Sequence, residues 1–136
     1  YEIARYPNWF QKDCASGSSA TYTKMEDGTI DVCNECVAAD GAARSMKGKM
    51  WSADPKGNAK LKVRFFWPFT GDVWILALGR DYEYAVVGHP SRRSLWILAR
   101  TPQISEELYA ELVEKIRGMH FDVEKLQRTP QRQNLQ

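Results

Sequence analysis

Apolar positions recur along the chain in short runs, each bounded by turn chemistry. In "AKLKVRFFW" (59–67) Lys60, Lys62 and Arg64 alternate with Leu61, Val63 and Phe65, and Trp67 continues the apolar side. That period of two is what a half-buried β-strand requires. Comparable segments are separated by Asp27-Gly28, Asp40-Gly41, Pro55-Lys56-Gly57-Asn58, Pro68 to Asp72, Gly79-Arg80-Asp81 and Gly88-His89-Pro90. Such clusters punctuate hairpins. The pattern predicts strands near Tyr1–Ala4, Ser19–Met25, Thr29–Cys36, Ser45–Ser52, Ala59–Trp67, Val73–Leu78, Tyr82–Gly88 and Ser94–Arg100. Consecutive hairpins predict an all-β fold, an eight-stranded antiparallel up-and-down β-barrel, because closure removes both unpaired edges.

The period changes once. After Pro102, Ser105 is placed as an N-cap, Glu106 and Glu107 fall in the first turn where the helix dipole favours them, and Leu108, Leu112, Val113 and Ile116 repeat at helical spacing. One C-terminal α-helix packed outside the barrel is expected. "FDVEKL" (Phe121–Leu126) reads as a short extra strand. Residues 1–126 then form a single domain, and 127–136 a polar tail with too little apolar surface to order itself.

Alternation also sorts the faces. Ile30 and Val32 oppose Asp31, Cys33 and Glu35; Met46 and Met50 oppose Lys47 and Lys49; Tyr82, Tyr84 and Val86 share a face, as do Trp96, Leu98 and Arg100. The barrel interior of such a fold is either filled by side chains or left as a chamber for one small ligand. The candidates for lining it are Tyr22, Met50, Phe65, Trp67, Tyr84 and Trp96, while both faces of the strands carrying Trp51 and Trp74 leave those two ambiguous. Arg100 completes an otherwise apolar stripe and is the candidate floor, stacked on a ring. Arg92 and Arg93, with His89, mark the opposite rim, where a carboxylate or phosphate would be met, unless they are simply solvated. Trp9 and Phe10 fall in the loop after the first strand.

Charge narrows the function classes. Nineteen basic against 17 acidic residues, a net charge of +2, and no basic run argue against nucleic acid as a partner. The longest apolar run, Val73–Leu78, is far short of the roughly 18–20 residues of a membrane-spanning helix. The chain opens directly in a strand, which implies that an upstream segment has been removed. Three cysteines permit one disulfide and one free thiol. Cys33-Asn34-Glu35-Cys36 has Cys-x-x-Cys spacing, but zinc would need further ligands from Cys14, His89 or His120, all distant in sequence, and a redox pair would need a strand-to-helix setting. No metal or cofactor is expected. Neither a Ser-His-Asp order nor a carboxylate dyad is present, and the chain reads as a binding protein and not an enzyme.

Longer stretches are recognisable. "YEIARYPNWFQ" resembles the segment that follows the Gly-x-Trp signature of the lipocalins, "GRDYEYAVVG" their second signature, and "LWILART" their third, whose arginine is Arg100. With "ATYTKMEDGTIDVCNEC" and "RTPQISEELYAEL", the resemblance spans nearly the whole chain and is closest to the bacterial outer-membrane lipocalins and their apolipoprotein D relatives. It implies the same barrel and helix, with a central pocket for fatty acids, lysophospholipids or similar amphiphiles. The family's Gly-x-Trp would stand immediately before Tyr1, and its tryptophan packs on the floor arginine, so a trimmed N-terminus is implied.

The resemblance further implies a Cys14–Cys36 disulfide near the mouth, leaving Cys33 free, in an oxidising compartment. The function it implies is carriage or storage of a small lipid for maintenance of the bacterial envelope, at the periplasmic face of the outer membrane. An upstream lipid anchor would provide membrane contact, and a homodimer is admitted. The alternative is a lipocalin-like enzyme acting on a bound lipid through Cys33 or Cys36. An acyl chain contributes about 0.8 kcal/mol per buried methylene, so a tail of ten or so buried carbons would offset the entropic cost of capture.

Overall fold

The structure is a computed structural model that describes residues 1–6, 14–52, 60–66, 69–80, 83–89, 91–92 and 94–130, with only the backbone described at 60, 63–66 and 69–73. The strands are β1 (Glu2–Arg5), β2 (Ser16–Lys24), β3 (Ile30–Val37), β4 (Ala43–Ser52), β5 (Lys60–Phe66), β6 (Phe69–Leu78), β7 (Tyr84–Gly88), β8 (Leu95–Ala99) and, after helix α1 (Glu106–Gly118), β9 (Gln127–Arg128). All pairs are antiparallel, in the order β2-β3-β4-β5-β6-β7-β8-β1-β9. The meander from β2 to β8 follows from its short turns. At Asp27-Gly28 the Asp27 carboxylate accepts from both the amide and the hydroxyl of Thr29, and Gly28 takes a left-handed φ of 88° that disfavours any side chain.

Three expectations need correction. Among the described residues the hydrogen-bonded order is linear and has nine strands, so the ladder there does not close as an eight-stranded barrel. The sheet instead curls until its ends meet: the Gly17 amide on β2 donates to the Pro130 carbonyl just past β9 at 2.8 Å. Phe121–Leu126 is not a strand, because Asp122 caps a single 3-10 turn at Val123–Lys125 by accepting from the Glu124 amide. The extra strand lies at Gln127–Arg128, within the stretch expected to be a loose tail. It pairs with β1, and Thr129 beyond it is buried. Polar residues order here because each finds a partner. Arg128 makes two bonds to the Glu106 carboxylate, at 2.7 and 2.6 Å, and lies 3.9 Å from the Tyr109 ring centroid.

Helix α1 begins where its sequence signals place it. Ser105 Oγ accepts from the Leu108 amide, and Glu106 and Glu107 occupy the first turn. Its apolar face buries Leu112 and Ile116 completely against Ile3, Ala4, Val86, Leu95, Ile97 and Ala99. Each such aliphatic side chain contributes about 1.5–3 kcal/mol relative to exposure. A register shift between Glu2 and Ala4 lets the consecutive residues Ile3 and Ala4 both join this cluster. The helix therefore covers one face of the β7-β8-β1 segment and leaves the other free for a site.

Candidate ligand cavity

Strand register identifies the uncovered face. Directly opposed residues share a face, so Ile30, Met50 and Val63 form one row, and Tyr22, Val32 and Gly48 another. Leu61 opposes Val73, Ile75 opposes Val87, and Val87 opposes Trp96, which carries the same face round to β8. Val32, Met50 and Leu61 are buried there, with Ile30 and Ile75 packed on them. Further along, Leu78 opposes Ala85 and Ala85 opposes Leu98. This is a continuous apolar face on the side of the sheet away from α1.

Part of the face is open. Tyr22 and Leu78 are 50% and 48% exposed, yet both border a hollow of about 590 Å³ with Ala85, Leu98 and Arg100. Desolvation by the surrounding protein pushes the Tyr22 phenol up from its ordinary pKa, although water reaches half of the residue. A second hollow, of about 630 Å³, is bordered by Gly17, Glu35, Cys36 and Arg44.

The other candidates separate. Met50 is 6% exposed in the apolar cluster and Trp96 is half-buried. Tyr84 pairs with Ala99 and packs in the cluster beneath α1, and it also borders the first hollow. Its ring closes over Gly79, where a Cβ would come within 2.5 Å of it, and its hydroxyl accepts from Lys115 Nζ of the helix at 3.4 Å. Both faces of "YAVVG" are apolar, so alternation pairs its residues correctly without saying which set meets the helix.

Arg92 is engaged at the end of α1. It has a left-handed φ of 64°, its Nε donates to the Met119 carbonyl at the end of α1, and its guanidinium lies 6.0 Å from the Phe121 ring centroid. His89 Nδ1 is engaged with Ser91 inside the same turn. Arg100 is exposed at the first hollow, its amide donating to the Glu83 carbonyl at 3.2 Å. Trp9, Phe10, Trp67, Tyr82 and Arg93, and the side chain of Phe65, lie outside the described residues. Sequence reasoning passed over Ile75, Leu78 and Ala85, since every position of "VWILAL" (73–78) and of "YAVV" (84–87) is apolar and carries no facing signal.

Cys14 and Cys36 form a disulfide with Cα atoms 5.5 Å apart. Cys33, a free cysteine, opposes Thr21 and Lys47 on the convex face, 3.7 Å from Glu35 Oε1. Among the described residues no group of three His, Cys, Asp or Glu side chains is arranged to hold a metal.

A family model described as a lipocalin-like domain matches residues 1–131. The chain is a lipocalin. It is 45% identical to temperature-induced lipocalin-1 of Arabidopsis thaliana, over 96% of this chain and 74% of that one. It is 39% identical to the outer membrane lipoprotein Blc of Escherichia coli K12 (92% and 71%) and 32% identical to bovine apolipoprotein D (96% and 72%). Lobster apocrustacyanin A1 shares the fold with a TM-score of 0.76 at 17% identity, covering 98% of this lipocalin and 76% of that chain. Binding of small hydrophobic ligands is general to lipocalins.

Proposed function

We propose that this lipocalin binds and carries a single-chain amphiphile, a fatty acid or lysophospholipid, with the curled sheet wrapping the acyl tail. The carrying observation is the concave apolar face that leaves Tyr22 and Leu78 accessible beside a hollow of about 590 Å³. That volume falls within the ~300–1,000 Å³ common for small-molecule sites. In this reading Tyr22, Leu78, Tyr84, Ala85 and Leu98, which border the hollow, contact the tail, and Met50 and Trp96 extend the apolar wall beyond it. Affinity comes from methylene burial, at about 0.8 kcal/mol each, and methionine supplies a surface that adapts to different chains.

The proposed address is the periplasmic face of a bacterial outer membrane, held by an upstream lipid anchor. Its support is the 39% identity to a protein named an outer membrane lipoprotein. An enzyme acting through a cysteine draws no such support, because Cys36 is disulfide-bonded and Cys33 faces away from the apolar wall.

The test is a titration of delipidated protein with fatty acids and lysophospholipids of several lengths, followed by tryptophan fluorescence and native mass spectrometry. A saturable change near one equivalent is expected. Absence of binding across all chain lengths would mean that the side chains fill the cup and the carrier reading is wrong.

A further inference from the structure

The two ends of the curled sheet meet where, among the described residues, no strand ladder joins them. β1 pairs with β8 and β9, and β2 pairs with β3, so among the described residues the wall between β1–β9 and β2 lacks the continuous hydrogen bonding found elsewhere. Individual bonds span the gap. The Gly17 amide reaches the Pro130 carbonyl at 2.8 Å, helped by a left-handed φ of 62° that glycine adopts freely. Arg5 Nη2 donates to the Cys14 carbonyl at 3.0 Å, and Cys14 is bonded through its sulfur to Cys36 on β3.

Behind both crossings stands one carboxylate. The Glu2 side chain is 4% exposed; it accepts from Thr129 Oγ1 at 2.6 Å and pairs with Arg5 Nη1 at 3.3 Å. Thr129 immediately precedes Pro130, whose carbonyl receives β2, and the Thr129 amide donates to Ile3 at 2.9 Å. Glu2 thus fixes the strap that holds β2 from one side and the arginine that reaches the disulfide from the other. A buried ion pair is a weak source of net stability, but removing one partner leaves an uncompensated charge, so its use is to impose one geometry. Both hollows border this seam, since Tyr1 and Ser19 line each.

We propose that Glu2, Arg5 and Thr129 form a latch that holds the cup shut along the β1–β2 seam and sets the rate at which a bound apolar ligand leaves. The latch is a set of positioning residues, and its effect on ligand release rests on the carrier reading above. The seam is the one part of the described wall held by scattered side-chain and terminal bonds, so it is where the cavity opens sideways when the latch is released.

The experiment is stopped-flow dissociation of N-phenyl-1-naphthylamine from the full chain, in parallel with amide exchange at Gly17. The variants are Thr129→Val, which deletes only the hydroxyl, and Glu2→Gln; Ser105→Ala, which weakens the helix cap away from the seam, is the control. A hydrogen bond to a charged group is strong enough that Thr129→Val should speed dissociation about tenfold and abolish protection at Gly17, with the control near wild type. Unchanged dissociation and exchange in Thr129→Val, or equal acceleration in the control, would overturn the latch. If Glu2→Gln does not fold, Thr129→Val decides alone. If wild type binds no dye, the carrier reading fails, and the Gly17 exchange in Thr129→Val decides whether the seam is latched.

Discussion

Val87 on β7 and Trp96 on β8 stand directly opposite each other on the uncovered face of the sheet, one position away from Val86 and Ile97, which are fully buried beneath α1. Adjacent residues in these two strands therefore serve different purposes. Trp96→Arg should lower affinity for a fatty acid at least tenfold, at about 1.4 kcal/mol per decade, with the melting transition still cooperative. Ile97→Ala should cost about 2–5 kcal/mol of stability and leave the affinity of the folded fraction intact. Titration and denaturant melts on both variants separate the faces. Affinity lost in Ile97→Ala and kept in Trp96→Arg would place the ligand on the wrong side.

Arg92 spends its Nε on the Met119 carbonyl while held at a φ of 64°. Arg92→Ala deletes that bond and keeps the backbone constraint, so a loss of about 1 kcal/mol is expected. Affinity for anionic and neutral amphiphiles should not change. A selective loss for the anionic ligand would instead make Arg92 a headgroup contact.

The cysteines are expected to behave differently. Reducing Cys14–Cys36, which are 22 residues apart, should destabilise the fold by about 3 kcal/mol through the freedom returned to the unfolded chain. Alkylating Cys33, which opposes Lys47 on the convex face, should leave lipid binding unchanged. Turnover of a bound lipid that alkylation abolishes would revive the enzyme alternative.

Acid should loosen the C-terminal strand first. The bonds from Arg128 hold the Glu106 carboxyl below the ordinary glutamate range, and Glu106 in turn raises Arg128. A depressed carboxylate contributes stability that is present above its unfolded value of about 4.3 and is lost as pH falls through the lower folded value. Protonation of Glu106 should then free Arg128 from the helix. The Arg128 and Tyr109 resonances, followed from neutral pH downward, are expected to shift in that window, and Glu106→Gln should remove the transition.

Much of the scaffold was legible because its signals are local. The period-two strands, the turn at Asp27-Gly28 and the Ser105 cap depend on residues within a few positions of one another. The separation of Ile30 and Val32 from Asp31 and Cys33 also survives folding, since apolar and polar residues alternate there and only one face of β3 can be buried.

What the sequence by itself determined is where the strands up to β8 and the helix lie, and which neighbours share a face, but not the 3-10 turn at Val123–Lys125 or the strand at Gln127–Arg128. Only the tertiary structure decided which face the helix covers, because Tyr84 and Val86 on one side of β7 and Ala85 and Val87 on the other are equally apolar, and docking of Leu112 and Ile116 selects between them. The tertiary structure also decided the partners of Arg92, 27 residues from Met119, and of Thr129, 127 residues from Glu2. Those bonds depend on where distant segments are brought together by packing, and no local pattern encodes that.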